Sequence, residues 1–189
     1  MSTAPTTVPV RETIADLARV EGQAELIGGR IVHIMATGIR PNIVAGRIFR
    51  NLADHVDASG QGVVFTDSIG FVVPELASGR ESFSPDVSFY DGPFSSDDMR
   101  FLKGAPTLAV EVRSEGDYGP AAERSMAKKR ADYFEAGTLV VWDVDPKADC
   151  VHSYRSDQPD QPTTFQRGQV ADAQPTLPGW TIAVDCIFP

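Results

Sequence analysis

Two carboxylates define the chemistry open to this chain. Asp86 follows Ser84-Pro85 and opens a β-type run over residues 86–90, and Glu111 sits inside the most apolar β-type run, residues 107–112. A carboxylate among Leu, Ala and Val is costly to bury unless an opposite charge compensates it. Two such groups brought together repel, and a cation is the usual remedy. Two cations are open on these grounds: a divalent metal, or a lysine of the helix that follows, which carries Lys128 and Lys129. Alternate strand residues share a face, and that favours convergence. Asp86, Ser88 and Tyr90 fall on one face, opposite Val87 and Phe89. Ala109, Glu111 and Arg113 fall on one face, opposite Leu108, Val110 and Val112. Neighbouring strands with both apolar faces on one core would point Asp86 and Glu111 the same way. The blander alternatives are a strand-start Pro-Asp dipeptide and a core Glu111 paired with Arg113 on its own face.

The elements that must position these groups read as one α/β domain over residues 11–189, after a Thr- and Pro-rich stretch, residues 1–10, expected to fray. A short helix is predicted over 12–20 with Thr13 as a cap. Strands 24–27 and 30–36 form a hairpin through Gly28-Gly29. Pro41 leads Ile43, Val44, Ile48, Leu52 and Val56, spaced for a helix to about residue 58 that ends at Gly60. Strands follow over 63–65 and 69–73, then a polar loop over 74–82. Residues 91–104 read as a loop with a short amphipathic piece near 99–102. The clearest helix is 121–136, closed by Gly137. Strands 139–144 and 150–154, a polar turn over 157–162, and short strands at 163–165, near 170 and over 179–184 complete the chain. This order predicts a mixed central β-sheet flanked by helices, with additional N- and C-terminal β-hairpins.

The helix over 121–136 separates the two lysines. Ala122, Met126, Ala127, Ala131, Tyr133 and Phe134 mark its buried arc, and Lys128 falls with Arg124, Asp132 and Glu135 in the middle of the polar side. Lys129 lies at the edge of the buried arc, in a row with Met126 and Tyr133. Lys129 is therefore expected to supply the charge, and Lys128 to be solvated.

Bulk properties narrow the function classes. The 189 residues are 42% hydrophobic and 23% charged, ordinary for a globular domain, and the net charge of -9 argues against a generic nucleic-acid coat protein. It also weighs against DNA as substrate, although a bound metal and a local basic patch can handle phosphate. Cys150 and Cys186 are too few and too far apart for a disulfide framework and read as free thiols of a reducing compartment, the cytoplasm. Residues 1–10 lack a basic start and an apolar core, so no signal peptide is expected, and no apolar run approaches membrane-spanning length. His33, His55 and His152 share no zinc-ligand spacing. Neither a GxSxG motif nor a Cys/His pair supports nucleophilic catalysis.

In order and spacing, several short motifs resemble the PD-(D/E)xK nuclease superfamily and, more closely, its Uma-two family of restriction-endonuclease-like bacterial proteins. They are Glu25-Leu26-Ile27-Gly28-Gly29, Ser84-Pro85-Asp86-Val87, Leu108-Ala109-Val110-Glu111-Val112, Lys129 with Tyr133 and Gly137, Trp142-Asp143-Val144-Asp145-Pro146, and Leu177-Pro178-Gly179-Trp180. The resemblance covers most of the chain. It implies a restriction-endonuclease-like fold with a central four-stranded mixed sheet, and Mg²⁺ or Mn²⁺ held by Asp86 and Glu111. It also implies that Lys129 replaces the superfamily lysine, whose usual position holds Arg113. Glu25 would join the metal site or orient the lysine, and Arg113, Arg124 and Arg130 would contact flanking phosphates. Asn42 departs from the histidine common in the family before the second helix, and parts of the usual Ser/Thr/Arg run after the glutamate differ. The implied function is metal-dependent endonucleolytic hydrolysis of DNA, with a homodimer compatible. The alternatives are a catalytically idle nuclease-fold binding module and a phosphohydrolase acting on a small phosphorylated substrate.

Overall fold

Strand alternation and one amphipathic helix build the core that carries the site. The computed structural model describes residues 10–189, and the stretch 1–9 lies outside the described residues. The chain opens with α1 (Ile14–Leu17), β1 (Ala24–Ile27), β2 (Arg30–His33) and α2 (Ile39–Ser59). It continues through β3 (Val63–Thr66), β4 (Phe71–Val72), β5 (Ser82–Phe83), β6 (Val87–Tyr90), β7 (Leu102–Lys103) and β8 (Leu108–Val112). After α3 (Pro120–Glu135) come β9 (Val140–Asp145), β10 (Cys150–Arg155), β11 (Gln158–Gln166), β12 (Val170–Asp172), β13 (Thr181–Ala183) and α4 (Val184–Ile187).

The central sheet has the order β11-β10-β9-β8-β6-β3. Only β8 and β9 run parallel, and α3 is the crossover between them, as a parallel pair requires. The sheet is therefore mixed, as expected. Its expected four strands are β3, β6, β8 and β9, and the hairpin β10–β11 widens it to six. The hairpins β1–β2 and β12–β13 flank it as separate two-stranded sheets.

Parity divides the sheet into two unlike faces. Val87, Phe89, Leu108, Val110, Val112, Val140, Trp142 and Val144 pack with Val44, Ile48, Leu52 and Val56 of α2 and with C-terminal residues that include Trp180 and Ile187. The α2 residues recur at helical spacing, and Gly60 closes the helix in the left-handed conformation at φ 67°. The opposite face carries Ala109 and Val141, packed with Tyr133 of α3 and Phe71 and Phe83 of the small sheet β5-β4-β7. Glu111 and Asp143 lie on this second face, directly paired across β8 and β9.

Several elements differ from the expectation. The first helix is one turn, although Thr13 does cap it through a reciprocal box with Asp16. Of residues 157–162, read as a polar turn, only Asp157 lies in the turn, and 158–162 belong to the nine-residue strand β11. That strand is the exposed outer edge of the sheet, where Pro159 and Pro162 are tolerated and no apolar alternation is needed. Of the amphipathic piece near 99–102 only Leu102 enters a strand, β7, which pairs in parallel with β4, and β5 begins at the last residue of the loop read over 74–82. Two-residue strands carry no readable period. Cys150 and Cys186 are free thiols. Among the described residues no helix is long and apolar enough to cross a membrane.

Leu108 is fully buried between α2 and the sheet. Leu108→Ala should destabilise the fold by about 3 kcal/mol, the usual range for a truncated core leucine, with the loss read from the midpoint of urea unfolding.

Candidate active site

The two sequence-predicted carboxylates arrive at one end of β6 and β8. These strands pair antiparallel with Val87 opposite Val110 and Ser88 opposite Ala109, so one further step sets Asp86 opposite Glu111. Asp86 Oδ2 accepts the Val112 N–H at 2.7 Å, which fixes the carboxyl at the strand end. Its other oxygen has no hydrogen bond among the described residues. Burial raises the Asp86 pKa to about 7, and the charge on Glu111 adds to the rise. Burial also raises Glu111, against the pull of Lys129 and the Tyr133 hydroxyl.

Helix α3 supplies the cation. The Lys129 ammonium lies 2.9 Å from Glu111 and 3.2 Å from Glu25 Oε1, and the Tyr133 hydroxyl donates to Glu111 Oε1 at 2.6 Å. Burial disfavours the charged lysine, but Glu111 and Glu25 outweigh it and hold the amine protonated well above its ordinary range. Lys129 is not at the margin of the helix face, as expected, but central to it. The inward row is Ala122, Met126, Lys129 and Tyr133, whereas Ala127 and Ala131 are exposed and Asp132, read as part of the polar stripe, is buried. The reason is that the surface facing α3 is itself charged, so the helix turns polar groups inward. Lys128 is exposed.

Glu25 lies beside the lysine and deep in the protein, its side chain 7% exposed against 28% for Glu111. Burial would push its pKa up, but Lys129 and Arg80 pull it below its ordinary value. Its oxygens are taken by Lys129, Arg80 and the Ser84 N–H. Among the described residues no three Asp, Glu, His or Cys side chains form a ready metal cage. A divalent ion would rest on Asp86 and Glu111, and the donor set fits one. Mg²⁺ commonly takes one or two carboxylates, with waters and substrate oxygens completing the shell. In this cluster four carboxylates, Glu25, Asp86, Glu111 and Asp132, meet only two cations, Arg80 and Lys129.

The expected phosphate contacts separate. Arg113 is buried, its guanidinium bonding Asp143 at 2.7 and 2.9 Å and Glu123 at 2.6 Å. It does not pair with Glu111. Arg130 bonds Asp143 at 3.0 Å and lies over the Tyr154 ring. Arg124 is exposed. Glu111, Lys129 and Arg130 line a cleft of about 410 Å³ that is also lined by Ile27, Val32 and Ile34 from the N-terminal hairpin region and by Met126 of α3. Asp86 opens on a smaller cleft of about 110 Å³ with Asn42, Gly46 and Asp67. Val112 belongs to both walls, so the carboxylates meet at the divide. Cys150 Sγ lies 3.4 Å from His152 Nε2, but the thiol is buried and its pKa raised by burial, unlike an activated nucleophile.

Sequence reasoning missed Arg80 and the roles of Asp132 and Asp143. Arg80 lay in a segment read as a polar loop and had no local signal. Asp143 had one: it alternates with Trp142 and Val144 in a strand buried along its length.

The family model described as "Uma2: Putative restriction endonuclease" matches residues 12–185. A crystal structure described as "a putative nuclease belonging to DUF820" from Anabaena variabilis ATCC 29413 superposes with a TM-score of 0.74 at 17% identity, over 93% of this chain and 97% of that one. No curated protein matches the sequence.

The raised Asp86 pKa gives a signed prediction. Between its ordinary value of 3.8 and about 7 the folded chain keeps a proton that the unfolded chain has released, so stability falls as pH rises through that window. Asp86→Asn should therefore stabilise the metal-free protein at pH 8, by at most about 4 kcal/mol, with the gain shrinking towards pH 4. Urea unfolding in a chelator across this range reads it, and a gain independent of pH would mean an ordinary carboxyl at Asp86.

Proposed function

The chain belongs to the Uma2 family, and from that membership together with the site geometry we propose that it hydrolyses phosphodiester bonds in DNA with the aid of Mg²⁺ or Mn²⁺. The observation that carries this reading is the meeting of Asp86 and Glu111 beside the Lys129 ammonium, in a cluster with more carboxylates than cations. Asp86 and Glu111 would hold the ion through carboxylate oxygens. When bound, it would polarise the scissile phosphate and lower the pKa of a coordinated water.

The chain's own groups do the rest. Lys129 keeps its proton and presents a compact positive charge where negative charge develops on the phosphate, in a partly dry site where that charge is strongest. Its side chain is 22% exposed, enough for a substrate oxygen to reach the amine. Tyr133 holds the Glu111 carboxylate in one orientation through its hydroxyl. Arg124 is free to meet a flanking phosphate, whereas Arg113 and Arg130 are committed to Asp143. That commitment, with the net charge of -9, favours a second reading in which the substrate is a small phosphorylated molecule with few phosphate contacts.

Incubation with plasmid, single-stranded DNA and mononucleotides in Mn²⁺ separates the two readings. Lys129→Met should slow the reaction on the order of a hundredfold, the usual loss for a charge aimed at the transition state. Lys128→Met should change it little, and mainly at low salt, because a solvated charge is screened. Equal losses from the two substitutions would remove Lys129 from the role. Mn²⁺ should also raise the melting temperature of the native chain, and Glu111→Gln should abolish that rise. Absence of both the rise and the cleavage would refute a metal-dependent hydrolase.

A further inference from the structure

Arg80 touches neither Asp86 nor Glu111, yet it is tied to the groups that place Lys129. Its side chain is only 8% exposed, and its guanidinium bridges two elements: one N–H bonds Glu25 Oε2 on β1, and Nε bonds Asp132 Oδ2 on α3 at 2.9 Å. A further bond reaches the Ser82 carbonyl at 3.3 Å. The guanidinium lies over the Phe83 ring, which stacks on Tyr133 with ring centres 4.1 Å apart. The backbone around it is pinned to β1, with Ile27 bridged to Arg80 and the Glu81 N–H bonded to the Leu26 carbonyl at 2.9 Å.

We propose that Arg80 is a positioning residue that acts through Glu25 to aim the Lys129 amine at Glu111, for the hydrolysis proposed above. Glu25 offers two oxygens. Arg80 occupies Oε2, and the Ser84 N–H at 3.0 Å shares Oε1 with Lys129. The lysine therefore meets one oxygen that is already partly satisfied, and Glu111 gives it the shorter contact. Without Arg80, Glu25 has a free oxygen in a buried place and turns it to the nearest cation, Lys129, drawing the amine away from Glu111. Arg80 and Lys129 also carry like charge, which drives the amine towards Glu111. A lysine in place of Arg80 keeps the charge but cannot bridge Glu25 and Asp132 together, since the planar fork is what spans them.

Acetylation of the intact, metal-free chain, followed residue by residue by mass spectrometry, tests this without depending on activity. Native Lys129 should react more slowly than its exposed neighbour Lys128. In Arg80→Lys, Lys129 labelling should slow about tenfold or more, because the amine is drawn from Glu111 to the deeper Glu25, with Lys103, Lys128 and Lys147 unchanged. Unchanged Lys129 labelling in a folded Arg80→Lys chain would overturn the proposal. If Arg80→Lys does not fold, so that Lys103, Lys128, Lys129 and Lys147 label together, Glu25→Gln decides: a selective rise at Lys129 supports the route through Glu25, and continued protection overturns it. Where the native chain cleaves DNA, kcat should fall by a similar factor in Arg80→Lys with KM unmoved, and a change confined to KM would count against positioning. If the native chain cleaves nothing, the functional reading fails while the labelling still decides the role of Arg80.

Discussion

An ammonium held between two carboxylates is the interaction on which the rest of this site depends. Lys129 sits between Glu25 and Glu111 and works against the burial that pushes both carboxylates up. Removing one partner of a buried pair leaves an uncompensated charge, which is far costlier than the pair itself is stabilising. The three residues come from β1, β8 and α3. Satisfying the lysine therefore fixes the N-terminal hairpin and the crossover helix against the sheet at once, and Arg80 and Tyr133 complete the hydrogen bonds that this requires.

The same device recurs one strand away. Asp143 is paired across the sheet with Glu111 and is held by Arg113 and Arg130. The sheet face under α3 thus carries ion pairs beside a second apolar cluster that includes Phe71, Phe83, Ala109, Tyr133 and Val141. The opposite face, under α2, is apolar and runs without a break into the C-terminal segment. Both faces bury apolar residues, and only the face under α3 also carries buried charge. This arrangement lets a small domain carry buried carboxylates, because their cost is offset by hydrophobic burial on both faces.

Compensation stops at Asp86. Its pKa is raised to about 7 while Glu25, with two cations, is pulled down, so the acid of the two that keeps its proton longer lies at the divide between the two clefts. The arginines are matched, and Asp86 is the acid left without a cation of its own. The protein as a whole, at a net charge of -9, offers little general attraction to phosphate.

The sequence by itself determined the sheet and its acids. Alternation around Asp86 and Glu111 fixed which residues face α2, since a strand has only two faces, and the spacing of Val44, Ile48, Leu52 and Val56 fixed the helix that covers them. It also separated Lys129 from Lys128, because four residues bring Lys129 over Tyr133. What it could not decide were the partners. Arg80 is fifty-five residues from Glu25 and fifty-two from Asp132, and nothing in Ser78-Gly79-Arg80-Glu81 marks it as buried. Arg113 looked free for Glu111 or a phosphate until β9 brought Asp143 beside it. Asp132 looked solvated because a periodicity argument assumes an apolar interior, and here α3 packs on a charged one. Local pattern sets which way a side chain points. Only the tertiary structure brings together the charges that it meets there, because each pair is closed across elements far apart in the chain.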